Sequence, residues 1–229
     1  MQNVAKVSLK LWGEYALFSR PEFKVERVSY PVITPSAARG ALEAIFWKPE
    51  IRYQIVRIGV LKHGRQMAVL RNELGSRQGR KPIVIEQDRQ QRTSLILRDV
   101  AYIIEAEIHL RPHATEPVYK YADQYRRRVE RGQYHHVPYL GTREFAASFA
   151  PANHEHPPAF DMDIGTMLFD IAFVEDSKRK ELSFKRPGKD KIAYGYAHPL
   201  FFQARVGNGW LDVPQELYTE LRRLEGEDV

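Results

Sequence analysis

Pro35-Ser-Ala-Ala-Arg-Gly-Ala-Leu-Glu-Ala-Ile-Phe-Trp-Lys-Pro49 reads as one helix with both ends marked. Thr34 suits the N-cap, and Pro35 suits the first helical position, where its missing N–H has no partner. Ala37, Ala38, Leu42 and Ile45 recur at helical spacing and predict a buried face. The same spacing sets Arg39 beside Glu43. Lys48 lies where a cation favours the negative end of the helix dipole, and Pro49 stops further winding.

Strand signals flank this helix. Val7, Leu9 and Leu11 alternate with Lys6, Ser8 and Lys10, the period of a half-buried strand. Ile51 to Val60 is rich in Ile, Val and Tyr and predicts a second strand. Residues 62–92 are polar and basic, with Arg65, Arg71, Arg77, Arg80, Lys81, Arg89 and Arg92, and read as an inserted hairpin with Ile83-Val84-Ile85 as one arm. Val100 to Leu110 is a third strand, about Pro117 to Arg131 a second helix ended by Gly132, and Arg143 to Phe149 a fourth strand. The order β-α-β-β-α-β is the ferredoxin-like (RRM-like) order of many RNA-binding domains.

Ala150 to Phe160, rich in Pro, Ala and His, reads as a linker. Strand-like runs follow at Met167 to Val174 and Leu200 to Val206, then the turn Gly207-Asn208-Gly209, a short strand and a closing helix from Pro214 to Leu224. The expectation is an α+β protein: a ferredoxin-like domain over 1–150 carrying the basic insertion at about 62–92, and a C-terminal antiparallel β-sheet appendage over 151–229.

The 229 residues, 43% hydrophobic, suffice for one large domain or two small ones. A net charge of +6 favours a polyanionic partner where the charge is clustered. The absence of cysteine excludes disulfides and thiolate metal ligands. The alternating N-terminus is unlike a signal peptide, and no apolar run approaches the ~20 residues of a membrane span, so a soluble cytoplasmic protein is expected.

The second helix clusters the charge. Val118, Ala122, Tyr125 and Val129 form its apolar stripe, while Lys120, Gln124, Arg126, Arg127, Arg128 and Arg131 lie largely off it. Few acids offset them, which points to phosphate contact. The segment that follows adds Tyr134, His135, His136 and Arg143; aromatic rings stack on unpaired bases, and histidine exchanges protons near neutral pH. Arg39, Trp47 and Lys48 extend the candidate RNA-binding set to the first helix. His154-Glu-His156 sits in a loop with no third ligand evident, so no metal site is expected there, and no phosphate-binding glycine loop or serine-hydrolase motif is present.

Nearly the whole chain resembles the type I-C (Dvulg subtype) CRISPR-associated Cas-five family. The resemblance is carried by Leu11-Trp-Gly-Glu-Tyr-Ala-Leu-Phe18, Lys24-Val-Glu-Arg-Val-Ser-Tyr30, Pro35 to Pro49 and Arg89-Gln-Gln-Arg-Thr93. It continues in Tyr102-Ile-Ile-Glu-Ala106, Tyr139-Leu-Gly-Thr-Arg-Glu-Phe145 and Asp163-Ile-Gly-Thr-Met-Leu-Phe-Asp170. It implies a metal-independent endoribonuclease without a cofactor that cuts precursor CRISPR RNA within its repeat. It further implies retention on the guide's 5′ handle, beside the backbone and large subunits of the interference complex. A Tyr or His on the first helix and a Lys-His pair opening the second form the family's catalytic set, and these positions fall on Phe46, Lys120 and Tyr121.

Lys120 alone matches that set. Phe46 has no proton to move, and a Tyr121 phenol ordinarily titrates near ~10. Lys120 suits stabilisation of the phosphorane, or a base role if its pKa falls. Tyr121 can replace the family's histidine as a donor, or His135 or His136 can swing in as acid or base. The rival expectation is a handle-binding subunit that does not cleave, and nonspecific duplex-DNA binding by the insertion is compatible with either.

Overall fold

The alternation in the first strand translates directly into burial: Val7, Leu9 and Leu11 lie in the core, while Lys6 and Ser8 face solvent. The computed structural model describes residues 4–23, 25–76, 79–80 and 82–227. Lys24, counted in the family resemblance, and Arg77, Gln78 and Lys81 of the insertion lie outside the described residues. In chain order the elements begin β1 (Val4–Ala16), β2 (Arg27–Val28), α1 (Pro35–Ile45), β3 (Ile51–Lys62), β4 (Arg65–Leu74), α2 (Ile85–Asp88) and β5 (Arg89–Leu110). They continue with α3 (Val118–Glu130), β6 (Ser148–Ala150), β7 (Met162–Glu175), β8 (Leu182–Lys185), β9 (Ile192–Gly207), β10 (Trp210–Asp212) and α4 (Glu216–Glu225).

Among the described residues ten strands join one sheet in the order β6-β1-β5-β3-β10-β9-β7, with β2 and β4 also on β5, and β8 on β9, and of these pairs only the short β2–β5 one is parallel. The protein is thus a mixed α/β fold built on a large antiparallel sheet. Helices α1 and α3 pack on β3, β1 and β5, and α4 packs on β7. Leu9, Leu11, Ile55, Ile58, Tyr102 and Ile104 meet Leu42 and Ile45 of α1 and Ala122 and Tyr125 of α3 in one core. No helix among the described residues is long and apolar enough to cross a membrane.

Several boundaries differ from expectation. The inserted hairpin pairs β4 with Arg89–Arg98 of β5, and Ile85 opens the single turn of α2 rather than a strand arm. β5 is 22 residues long because the core strand runs on into this hairpin. The fourth strand covers only Ser148–Ala150; before it, Tyr139 bridges Ala146 and Leu140 accepts no strand partner but donates its N–H to the Phe145 carbonyl. Strand β8 had no clear signal in the sequence, since its partner strand β9 supplies its pairing.

The C-terminal strands enter the sheet through β10, which pairs β3 on one side and β9 on the other. Neighbouring groups complete this edge of β3. Val213 N–H donates to the Val56 carbonyl at 3.0 Å, and the Ile55 N–H donates to the Tyr218 hydroxyl at 2.7 Å. Gln215 covers the Ile55 carbonyl from 2.9 Å.

Strand β7 carries two breaks in register, at Asp163/Gly165 and at Leu168/Asp170. Gly165, with φ +76°, takes the left-handed conformation that such a bulge favours. At the second break Phe169 is the extra residue, so Phe169 and Asp170 are both buried although adjacent. Phe169 packs edge-on against Tyr218 with centroids 4.7 Å apart, and Asp170 meets α1.

Candidate nucleic-acid interface

Helix α1 begins as its sequence demands. Thr34 Oγ1 accepts the Ala37 N–H at 3.2 Å, with proline in the first turn. Its end differs: the helix stops at Ile45, and Phe46 turns to extended backbone at φ −148°. Lys48 is therefore past the last turn and does not cap it. The orphan carbonyls are met from α3 and the loop after it. Arg128 Nη1 donates to the Ile45 carbonyl at 2.9 Å, and the His135 and His136 N–H groups donate to the Ala44 carbonyl at 2.8 and 3.2 Å.

Phe46 is 1% exposed, with the Arg128 guanidinium 5.4 Å over its ring, while Tyr53 donates to its carbonyl at 2.8 Å. Trp47 and Lys48 emerge into solvent immediately afterwards. The first catalytic position implied by the family resemblance is thus filled by a sealed ring, and the accessible aromatic is its neighbour, Trp47.

Helix α3 presents two faces. Val118, Tyr121, Ala122, Tyr125 and Val129 are buried. Lys120, Gln124, Arg127 and Arg131 stand at i, i+4, i+7 and i+11 and are all exposed, so they form one ridge. Among the described residues, Arg127, Arg131, Lys48 and Arg143 make no ion pair. Lys120 Nζ donates to Glu116 at 2.5 Å, and this contact raises the lysine pKa above its ordinary value. That direction favours the protonated form, which fits a charge stabiliser better than a general base, a role that calls for a lowered pKa. Burial, reinforced by the charges of Glu50 and Glu116, raises the Tyr121 pKa as well.

The remaining candidates divide by their bonds. Arg39 grips Asp170 with two bonds of 2.8 and 2.9 Å and Glu43 with a third of 2.8 Å, so its guanidinium faces carboxylates. Arg126 pairs Asp123 at 3.0 Å and donates to the Lys6 carbonyl at 3.1 Å. Arg128 is the helix-capping residue described above.

The loop after α3 is pinned at both ends. Gly132 at φ +63° closes the helix, with Gln133 N–H returning to the Arg128 carbonyl at 2.8 Å. At the far end the Leu17 N–H donates to the Leu140 carbonyl at 3.0 Å. Gly141 follows at φ +87°, where a Cβ would collide with the Leu17 carbonyl. Between these anchors Tyr134, His135 and His136 are exposed, and His136 stacks on Tyr139 at 21°.

The structure thus groups Phe46, Trp47, Arg128, His135 and His136 at one end of α3. Lys120 and Tyr121 occupy its first turn, and eight residues of helical rise place Lys120 about 12 Å along the axis from Arg128. A basic ridge joins the two groups, with Glu116 paired to Lys120 at its start and Arg127 and Arg131 without ion pairs among the described residues. A polyanionic strand laid along it meets a lysine, two arginines, exposed aromatic rings and two histidines. Among the described residues no three His, Asp or Glu side chains are grouped to hold a metal, and Glu155 of the His-Glu-His loop instead pairs Lys10 at 2.5 Å. The Arg128 cap and the Glu116–Lys120 pair escaped the sequence reading; only the second had a readable signal, its i, i+4 spacing.

The comparisons agree with one another. Residues 7–214 match the family model described as CRISPR-associated protein (Cas_Cas5). The chain is 63% identical over 223 residues to the CRISPR pre-crRNA endoribonuclease Cas5d of Thermus thermophilus, covering 97% of each chain. It is 40% identical over 242 residues to the protein of the same name from Mannheimia succiniciproducens, covering 95% of this chain and 99% of that one. A solved structure titled as a CRISPR-associated protein superposes with a TM-score of 0.62 at 19% identity over 93% of both chains, a likeness of fold.

Proposed function

This chain belongs to the Cas5d family of CRISPR-associated proteins, and from that premise we propose that it is a pre-crRNA endoribonuclease. The exposed ridge Lys120–Gln124–Arg127–Arg131, on which Arg127 and Arg131 carry no ion pair among the described residues, flanked by Trp47 and the His135–His136 loop, is the observation that carries this reading. In the proposed reaction a ribose 2′-OH attacks the adjacent phosphate, the 5′-oxygen leaves, and a cyclic phosphate remains. Protonated Lys120 stabilises charge on the five-coordinate phosphorus. His135 or His136 moves the proton, because Phe46 has none to offer and Tyr121 is buried. Lys48, Arg127, Arg131 and Arg143 contact phosphates, and Trp47 and Tyr134 stack on bases. The residue types present call for no divalent ion in this chemistry.

The strand order β6-β1-β5-β3 with α1 and α3 supports a ferredoxin-like unit over 1–150, to which residues 151–229 are appended. On this reading the protein acts in the cytoplasm and stays on the guide's 5′ handle as a subunit beside the backbone and large subunits. A second reading, a handle-binding subunit that does not cleave, is favoured by the sealed Phe46 ring. Duplex DNA contact would fall to the basic β4–β5 hairpin.

Incubating the pure protein with its own repeat RNA in excess EDTA tests the proposal. A single specific cut that persists in chelator is expected. Tight binding without cleavage would select the second reading, and activity restored only by a divalent ion would overturn metal independence.

A further inference from the structure

A second basic site lies on the other side of α1. A pocket of about 260 Å³ opens between α1, β3, β7 and α4, with Trp47 among its lining residues. Two of its arginines are neutralised: Arg39 by Asp170 and Glu43, and Arg186 by Glu175 at 3.6 Å. Arg52 of β3, Arg111 after β5 and Arg222 of α4 are different.

Two of these three, Arg52 and Arg111, meet on one carboxylate, that of Glu227. Glu227 accepts from Arg52 Nη1 at 2.8 Å and from Arg111 Nη1. Among the described residues Arg222 has no carboxylate within ion-pair distance; its Nη2 donates only to the Thr219 hydroxyl. The Nε groups of Arg52 and Arg222 are buried without a hydrogen-bond partner. Glu225, which also lines the pocket, accepts the Phe173 N–H at 3.3 Å, and its charge acts on Arg52 and Arg111. Burial lowers the pKa of all three arginines, and the charge of Arg52 lowers those of Arg111 and Arg222 further. Beyond the neutralised pair, the pocket sets three guanidinium groups against Glu225 and Glu227.

We propose that Arg52, Arg111 and Arg222 form a phosphate subsite for one nucleotide of the bound RNA, with its base on Trp47, and that Glu227 occupies this subsite until RNA displaces it. A phosphate offers the additional acceptor oxygens and charge that one carboxylate lacks, and arginine forks match it geometrically. The inference rests on the RNA-processing reading and extends the strand's path around the end of α1.

The test is affinity for fluorescently labelled repeat RNA in wild type, Glu227→Gln, Arg111→Gln and their combination, each checked for folding by thermal melt. Glu227→Gln is expected to tighten binding about three- to tenfold, by removing the competitor. Arg111→Gln is expected to weaken it about tenfold, lower the salt slope by about one, and abolish the gain from Glu227→Gln. Should Arg111→Gln fail to fold, Arg222→Gln serves in its place. Unchanged RNA affinity in folded Glu227→Gln, or independent additivity of the two substitutions, would overturn the subsite.

Adenosine 5′-monophosphate, followed by phosphorus NMR, separates strand from free nucleotide. If wild type binds no RNA, the RNA reading fails by itself. Nucleotide broadening that Glu227→Gln strengthens and Arg111→Gln removes would then keep the pocket as a mononucleotide site, and no broadening would end that too.

Discussion

Replacing Asp170 by alanine isolates the contact that ties α1 to β7. The carboxylate is 3% exposed and receives two of the three Arg39 bonds that reach acids. Removing one partner of a buried pair costs roughly 3–5 kcal/mol, because the surviving charge is left uncompensated. Here Arg39 retains Glu43 and its side chain is 30% exposed, so the expected cost falls to about 2–3 kcal/mol. For a chain of this size that corresponds to roughly 4–12 °C in melting temperature. Circular dichroism melts at physiological salt read it directly. The double change Arg39→Met with Asp170→Leu removes both buried partners, leaves only the part-exposed Glu43 without its arginine, and should melt at least about 3 °C above Asp170→Ala. An Asp170→Ala protein melting within about 1 °C of wild type, or a double variant less stable than either single one, would refute the assignment of this pair as the clamp.

Lys120→Ala should lower the single-turnover cleavage rate by roughly a hundredfold or more while weakening RNA binding less, since it removes one transition-state charge but one phosphate contact among several; equal losses would make Lys120 a binding residue only. Phe46→Tyr combined with Tyr121→His, which restores the family's proton-carrying types, should raise that rate near neutral pH; a folded, normally binding variant that cuts no faster would pass the chemistry to His135 and His136, where alanine substitution should then abolish it. Gly141→Ala meets both a left-handed φ of +87° and the Leu17 carbonyl, so it should cost at least about 1–3 kcal/mol and lower the melting temperature by several degrees; an unchanged melt would contradict the close approach of Leu17. His109 has its pKa held below its ordinary 6.5, chiefly by burial, so the native protein takes up that proton less readily than the unfolded chain. Below about pH 6.5 the unfolded chain takes up a proton that the native state resists, so stability should fall as pH drops, and His109→Gln should flatten that slope.

Local rules were legible wherever a contact lies within a turn or a strand repeat. The Thr34–Pro35 start, the Val7-Leu9-Leu11 face, the Gly132 helix stop and the buried stripe of α3 all rest on neighbours in sequence, and each stands as read. The end of α1 was misread because its capping partners, Arg128 and the His135 loop, lie more than 80 residues away in the chain. The Arg39–Asp170 clamp spans 131 positions and depends on a bulge that turns two adjacent side chains inward, against the strand's own period. The three residues of β10 were readable as a strand after the Asn208-Gly209 turn, but nothing in them names β3 as their partner. Arg39 looked like a phosphate ligand for a related reason: Glu43, one turn on, is local, but Asp170, which takes two of its bonds, is not.

The placement of β10 also orders the assembly of the protein in time. During synthesis β1, α1, β3 and β5 emerge early and can collapse together, yet the outer edge of β3 waits for residues 209–218 before its polar groups find partners. Nearly the whole chain must be made before that edge closes. In the interval it is an open strand, the kind of surface on which nascent chains pair wrongly with one another. A chain ending near residue 208 would keep it open permanently, and would be expected to leave the ribosome as an aggregating species instead of a shorter working protein.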